Sequence, residues 1–397
     1  MAQCRFSYRL IVLPYIRLSG FYFFYFALLG AMVPYWSLYL KSLAFDAKSI
    51  GLLMATLHIS RIFAPSLWGW IADKTGQRLR IIRLGALLTW IVFIAMFWQD
   101  SALGIGLVML GYSFFWNAVL PQFEVMTLNY LGEASAKYSR IRLWGSIGFI
   151  LSVLLLGSAL DSISVAWIPT ILFILMMLIW INSLLIPAAN LPAKVERSPT
   201  LRFTEVIKKP QVMAFFVITM LIQFSHGPYY TFFSLMMQEL NYSRSEIGML
   251  WSLGVVAEVL VFIVMHTLIS RFGLRLIMIS SLVLCVIRWS LLGFWPENIF
   301  LVIVAQLLHA ATFASLHAVG ISLVHQYFPD DMKGRGQALF SSVGFGVGGA
   351  LGAIVAGLLW DTHGAQVTFA IAVLVSVVAI VLAYVWIHPE KVQQNCS

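Results

Sequence analysis

The basic residues of this chain fall in every second gap between long apolar stretches, and few folds are compatible with that pattern. Twenty of the 25 Lys and Arg residues lie around positions 5–17, 74–83, 137–142, 194–209, 271–275, 333–335 and 391. The alternate gaps hold only Lys41, Lys48 and Arg244, and just Arg61 and Arg288 fall well inside apolar stretches. A membrane protein that crosses many times in one fixed orientation has this signature, because Lys and Arg are retained in cytoplasmic loops. Both termini are therefore expected in the cytoplasm, which requires an even number of spans.

Composition agrees. A chain with 61% hydrophobic and 10% charged residues and a mean hydropathy of +0.90 exposes too much apolar surface for a water-soluble domain. The net charge of +9 does not indicate nucleic acid, since the basic residues sit in short loops where topology and anionic headgroups account for them. Cys4, Cys285 and Cys396 are far apart, so the spacing implies neither a disulfide framework nor a metal site. The first apolar run lacks a small-residue cleavage site and is long enough to span, so it reads as an anchor and not as a cleavable signal.

Windows of about 20 apolar residues place spans near 15–40, 48–71, 80–98, 103–128, 140–160, 165–186, 210–238, 246–270, 276–294, 298–327, 335–359 and 364–387. Twelve agrees with the parity of the termini. Residues 187–209 form a longer, polar gap with Pro187, Pro192 and Pro199, a linker between bundles at 1–186 and 210–397. The two bundles resemble each other. Gly69, Asp73, Lys74, Gly76 and Arg78 are echoed by His266, Ser270, Arg271, Gly273 and Arg275 at an offset of 197. Trp144, Ser146, Gly148 and Phe149 are echoed by Phe340, Ser342, Gly344 and Phe345 at 196. An internal duplication of a six-span unit explains both offsets.

The segment Gly69-Trp-Ile-Ala-Asp73-Lys74-Thr-Gly76-Gln-Arg78 is similar to the cytoplasmic signature loop of the major facilitator superfamily. Its spacing has a physical basis: Gly69 permits close helix approach, Asp73 can pair with a nearby Arg, and Gly76 supplies a tight turn. Such a loop can latch the protein in one state, although Gln77 stands where the family pattern has a basic residue. Within that superfamily most of the chain resembles the lactose-permease branch, above all its phenylpropionate-permease members. Arg140-Ile-Arg142-Leu-Trp-Gly145-Ser-Ile-Gly148-Phe149, Trp251 to Glu258, Val286-Ile-Arg288-Trp289 and Leu308-His309-Ala-Ala-Thr312-Phe313 carry the resemblance. It implies an all-α membrane fold of two pseudo-symmetric six-helix bundles, a central cavity and alternating access.

A charge near the bilayer centre costs about 2.5 to 3.5 kcal/mol, so Arg61, Glu124, Glu258 and Arg288 are expected to pair or to line a wet cavity. Glu124 and Arg142 stand on successive spans and can meet; the resemblance makes them ligands for substrate hydroxyls, with Phe149 where lactose permease stacks a sugar on Trp. A plain helix-pinning salt bridge is the competing reading. Glu258 and His309 match positions that contact substrate or couple it to the proton, and Arg288 matches an Arg that perturbs the coupling acid. That acid is Thr312 here, and Gln306 replaces a Lys. The proton therefore needs another carrier, Glu258 first. His309 and His317 are as readily structural, hydrogen-bonded residues. Arg61, at i+3 from His58 on one helix face, either recognises a substrate carboxylate or neutralises Glu124.

A bacterial inner-membrane, proton-coupled importer of a small organic solute follows, most of all of an aromatic carboxylate such as 3-phenylpropionate. A sugar or nucleoside symporter is the alternative. A polytopic enzyme would need a clustered catalytic constellation at a membrane face, and none is visible; a channel suits two halves enclosing an occludable site poorly. No cofactor is expected: Gly344, Gly348 and Gly352 read as helix packing, with no Lys-Ser or Lys-Thr to make a nucleotide loop. The expected partners are substrate, protons and lipid, with the chain acting as a monomer.

Overall fold

A computed structural model of the chain describes residues 2–132, 137–187 and 203–388, with side chains from Tyr15 onward. Most of the expected linker, 188–202, lies outside the described residues. Among those described there is no strand, as expected where each backbone polar group must be satisfied within its own segment. Among the described residues ten helices are long and apolar enough to cross a membrane.

The first compact unit comprises Met1–Val195 with Thr231–Ser252. It contains α1 (Ala2–Ser42), α2 (Ala47–Thr75), α3 (Arg78–Ile94), α4 (Ala102–Leu131), α5 (Tyr138–Leu160) and α6 (Ile168–Leu184). Side-chain oxygens fix several helix starts: Asp46 accepts from the Ser49 N–H and Ser101 from that of Gly104, each satisfying an orphan donor. At the other end of α6, Arg83 donates to the Ser183 and Ile186 carbonyls, where a cation complements the helix dipole. Helices α1 and α5 touch backbone to backbone, because a Cβ on Gly148 would strike the Phe23 carbonyl and one on Gly30 the Phe149 carbonyl.

The second unit comprises Glu196–Tyr230 with Leu253–Ser397. Its helices are α7 (Phe203–Ile207), α8 (Pro210–Ser225), the start of α9 (Gly227–Glu239), most of α10 (Arg244–Phe294), α11 (Ile299–His309), α12 (Leu316–Tyr327), α13 (Lys333–Phe340) and α14 (Gly349–Trp386). The first unit's glycine contact recurs here, since Gly348 and Gly352 lie against the Met220 and Phe224 carbonyls of α8. The Gly344, Gly348 and Gly352 stripe is thus a packing face. Arg275 donates to the Tyr384 carbonyl near the end of α14, as Arg83 does at the end of α6.

Segmentation differs from the sequence reading in three places. The expected gaps at 271–275 and 360–363 are not loops: α10, of 51 residues, turns at Gly273 alone (φ 74°), and α14 turns at Gly364 (φ 75°). At about 1.5 Å per residue against a hydrocarbon core of about 30 Å, α10 with its 51 residues and the continuous run Lys333–Trp386 that ends in α14, with 54, each have length for two crossings. One glycine suffices because positive φ reverses the chain without a loop. The expected span 210–238 is divided at His226 into α8 and α9. Large apolar side chains remain exposed on the units, Leu103 at 75%, Ile263 at 72% and Leu155 at 69%; lipid is the solvent that accepts them.

The segment Thr231–Ser252 joins the first unit through polar contacts. Asp161, just past α5, accepts from the backbone N–H groups of Arg244 (2.8 Å) and Ser245 (3.2 Å) and so caps α10. Arg244 returns a hydrogen bond to the Leu160 carbonyl, and the Tyr35 hydroxyl donates to that of Val153 at 2.7 Å.

Candidate functional site

The signature loop folds as its spacing requires. Gly76 ends α2 in the left-handed conformation (φ 66°), its N–H bonded to the Ala72 carbonyl. Two residues later the chain is helical again, which brings Arg78 beside Asp73 as an ion pair and lets a second guanidinium nitrogen reach Gln122 on α4. Gly69 leaves room for Gln122, whose amide nitrogen would lie 3.6 Å from a Cβ there. Gln77, the departure from the family pattern, accepts from Arg80 at 2.8 Å. Gly69, Asp73, Gly76 and Arg78 therefore tie α2, α3 and α4 together.

Deeper in the first unit, aromatic residues of α1 set the stage. Tyr25 stacks on Trp116 and Phe21 on Phe123, and Tyr25 lies within the electrostatic reach of Arg61, Glu124 and Arg142. Three candidate residues on α2, α4 and α5 thus converge on one tyrosine. Arg142 lies over the ring of Phe26 at 3.9 Å and near that of Tyr22 at 5.6 Å, a geometry that holds the guanidinium by its face. Glu124 has Arg142 and Tyr138 as its electrostatic neighbours. Phe149 is half-buried on α5 with its backbone against Gly30. Arg61 and His58 are both half-buried on α2.

The second unit gathers the other candidates. Glu258 Oε1 lies 2.6 Å from His309 Nε2, with the side chains 14% and 5% exposed. Arg288 is wholly buried. Its Nε donates to the Ala305 carbonyl and its Nη1 to the Thr312 hydroxyl, both at 3.0 Å. The aromatic rings of Tyr229 and Trp289 lie 4.3 and 4.4 Å from the guanidinium carbon. Tyr229 in turn donates to Gln306 Oε1 at 2.8 Å, and His226 Nδ1 donates to the Ile222 carbonyl at 2.8 Å.

Sequence reading did not include His226, Tyr229 and Gln306 among the site residues. Gln306 stood out only as a departure from the lactose-permease pattern. A usable signal was present: His226 and Tyr229 are three apart, as are Gln306 and His309, so each pair shares a helix face within an apolar run. His317 extends the same face, stacked on Phe313 (6.4 Å), which is stacked on His309 (5.3 Å). In the described residues no cluster of His, Cys, Asp and Glu could hold a metal ion.

Residues 15–371 match the MFS_1 like family. A curated relative, the probable 3-phenylpropionic acid transporter of Escherichia coli (strain K12), is 28% identical over 88% of this chain and 92% of its own length. The nucleoside permease NupG of the same organism is 22% identical over 81% of this chain and 82% of its own. A crystal structure of the nucleoside transporter NupG superposes with a TM-score of 0.82 at 20% identity, covering 95% of this chain and 100% of that one. At that identity the likeness establishes the fold.

Proposed function

Because the chain belongs to the MFS_1 like family, and is a multi-pass membrane transporter of the major facilitator type rather than an enzyme, we propose that it imports a small aromatic carboxylate, such as 3-phenylpropionate, together with protons across a bacterial inner membrane. The charge balance of the two clusters carries this reading: Arg61, Arg142 and Arg288 stand against only Glu124 and Glu258. An unbalanced cation is costly at membrane depth, and a ligand carboxylate removes the imbalance by binding an arginine through two parallel hydrogen bonds. The relative whose name gives 3-phenylpropionic acid supports the substrate class.

Each candidate has a part in this scheme. The carboxylate takes its countercharge from Arg61 or Arg288, while Glu124, Arg142 and Phe149 contact the remainder of the solute. Glu258 carries the proton, with His309 as its hydrogen-bond partner and Arg288 as the nearby charge that responds to its state. One proton and one monocarboxylate move together without net charge. The loop of Gly69, Asp73, Gly76 and Arg78 latches one state of an alternating-access cycle. The chain crosses twelve times, with bundles at 1–186 and 210–397, a cytoplasmic linker at 187–209 and both termini in the cytoplasm, and works as a monomer.

A neutral sugar or nucleoside is the second reading. It draws on the Glu124 and Arg142 pair, since a carboxylate beside a guanidinium also binds hydroxyls, and on relatives named maltose permease and nucleoside permease. Calorimetric titration of the purified protein with aromatic acids, sugars and nucleosides separates the two. Binding of 3-phenylpropionate in preference to the neutral solutes is expected; binding of nucleosides or sugars alone would replace the first reading with the second.

A further inference from the structure

By sequence, Thr231–Ser252 is expected in the bundle 210–397, yet these residues pack with the first unit. Both borders of the segment fall inside helices, between Tyr230 and Thr231 in α9 and between Ser252 and Leu253 in α10. The end of α9 and the start of α10 also hold each other. Trp251 donates to the Ser234 hydroxyl at 3.0 Å, and its ring meets that of Phe233 edge-on. The segment is therefore a piece that can shift as one.

The first turn of α10 shows how the piece is attached. Ser243 and Glu246 make a capping box: the Ser243 hydroxyl accepts from the Glu246 N–H at 3.2 Å, and Glu246 Oε2 from the Ser243 N–H at 2.7 Å. That box secures a helix start from within its own sequence. The donors left over, the N–H groups of Arg244 and Ser245, go to the Asp161 carboxylate past the end of α5, where the helix dipole favours a negative charge. The Tyr35 hydroxyl of α1 is wedged between Gly157 of α5 and Gly248 of α10, 2.5 and 2.6 Å from where a Cβ on each would lie. Arg244 is out of place by charge, since it shares the alternate gaps with Lys41 and Lys48 alone. The bias that keeps basic residues in cytoplasmic loops does not account for it; its bond to the Leu160 carbonyl does.

This attachment is built to come apart. Asp161 is exposed, as are its two hydrogen bonds, so water can take over both N–H groups when the carboxylate leaves. The capping box stays behind, and α10 keeps its start. We propose that Asp161, Tyr35, Arg244 and Ser245 form a releasable clasp, at the end of α5 that the charge pattern places outside, which opens once in each transport cycle as the paired ends of α9 and α10 leave α5. This rests on the alternating-access reading, and it sets a second device on the side opposite the signature loop.

The test ties the clasp shut. Asp161 Oδ2 lies 3.2 Å from the Ser245 nitrogen, so cysteines at the two positions are near neighbours. In full-length Asp161→Cys/Ser245→Cys, oxidation is expected to abolish uptake of labelled 3-phenylpropionate into proteoliposomes, and a thiol reductant to restore it. Calorimetric binding of the same solute to the purified protein should survive oxidation, and each single-cysteine variant should ignore the oxidant. Undiminished uptake by the cross-linked protein would overturn the clasp, as would a pair that neither oxidant nor a short bis-maleimide joins. Loss of binding on oxidation would place these residues in the substrate site and overturn it too. Spin labels on the same cysteines decide the matter if the reduced pair is inactive: a short and a long distance are expected, and a short one alone would overturn the clasp. Uptake missing from the unmutated protein would instead refute the aromatic-carboxylate reading and leave the clasp to the spin-label distances.

Discussion

Replacing Glu258 by Gln separates coupling from binding. Glu258 Oε1 lies 2.6 Å from His309 Nε2, and Gln keeps an oxygen that can accept from that ring nitrogen. The exchange turns a charge-assisted hydrogen bond into a neutral one, at a cost of about 1 kcal/mol. Breaking a buried pair outright costs about 3 to 5 kcal/mol, so the Gln variant is expected to fold where an Ala variant would be compromised. What Gln loses is the titrating group. With one proton per monocarboxylate the charges cancel, and only the pH gradient drives accumulation, about 1.4 kcal/mol or tenfold per pH unit. In vesicles one unit more alkaline inside, the unmutated protein is expected to concentrate labelled 3-phenylpropionate about tenfold. Glu258→Gln should stop at equal concentrations yet still exchange labelled for unlabelled solute, because exchange needs no net deprotonation. Tenfold accumulation persisting in the variant would refute the assignment and move the proton to Glu124.

Reporter fusions at Leu191 and Ser397 should read cytoplasmic and one at Asp161 external, since basic residues occupy alternate gaps; an external Ser397 would contradict the twelve-span topology. Gly348→Leu should lower the unfolding temperature by several degrees, because its Cβ would collide with the Met220 carbonyl and overpacking costs about 1 to 3 kcal/mol. Gly334→Ala, with nothing within 4 Å of its Cβ, should not, and equal shifts would contradict the packing assignment. Burial pushes the Asp161 carboxyl up, but hydrogen bonds from Ser245 and the backbone of Arg244 and Ser245, with the Arg244 charge, leave it below the ordinary carboxylate range. A depressed folded-state value stabilises above the unfolded value and is lost as pH falls through the folded one. The difference in unfolding temperature between the protein and Asp161→Asn should thus be constant from about pH 5 to 8 and shrink only in stronger acid; a difference that shrank across the neutral range would contradict this.

The fold was legible because the bilayer permits so few solutions: long apolar runs must be helices, and the basic gaps between them mark sides. The signature loop was legible too, down to the pairing of Asp73 with Arg78, since a positive-φ glycine between two helices leaves those side chains few other places to go. Harder to read were the turns at Gly273 and Gly364, where a single residue does the work expected of a loop. The surroundings of Arg288 were read only in part, with Thr312 and Gln306 noted as departures from the lactose-permease pattern. His226, Tyr229 and Gln306 come from the end of α8, from α9 and from α11 respectively, and nothing in a linear pattern says which helix faces will meet. The π-helical stretches Ala310–Ser315 and Ser341–Gly348 were also invisible, because their register shift depends on how α11 to α14 pack and not on any residue type within them.

Uptake of labelled 3-phenylpropionate into proteoliposomes containing only this protein tests the central claim most directly. Saturable accumulation above the external concentration is expected when the interior is alkaline, collapsing on addition of a protonophore and inhibited by related aryl carboxylates but not by nucleosides. Entry that merely equilibrates and ignores the pH gradient, or accumulation of a nucleoside in its place, would contradict it.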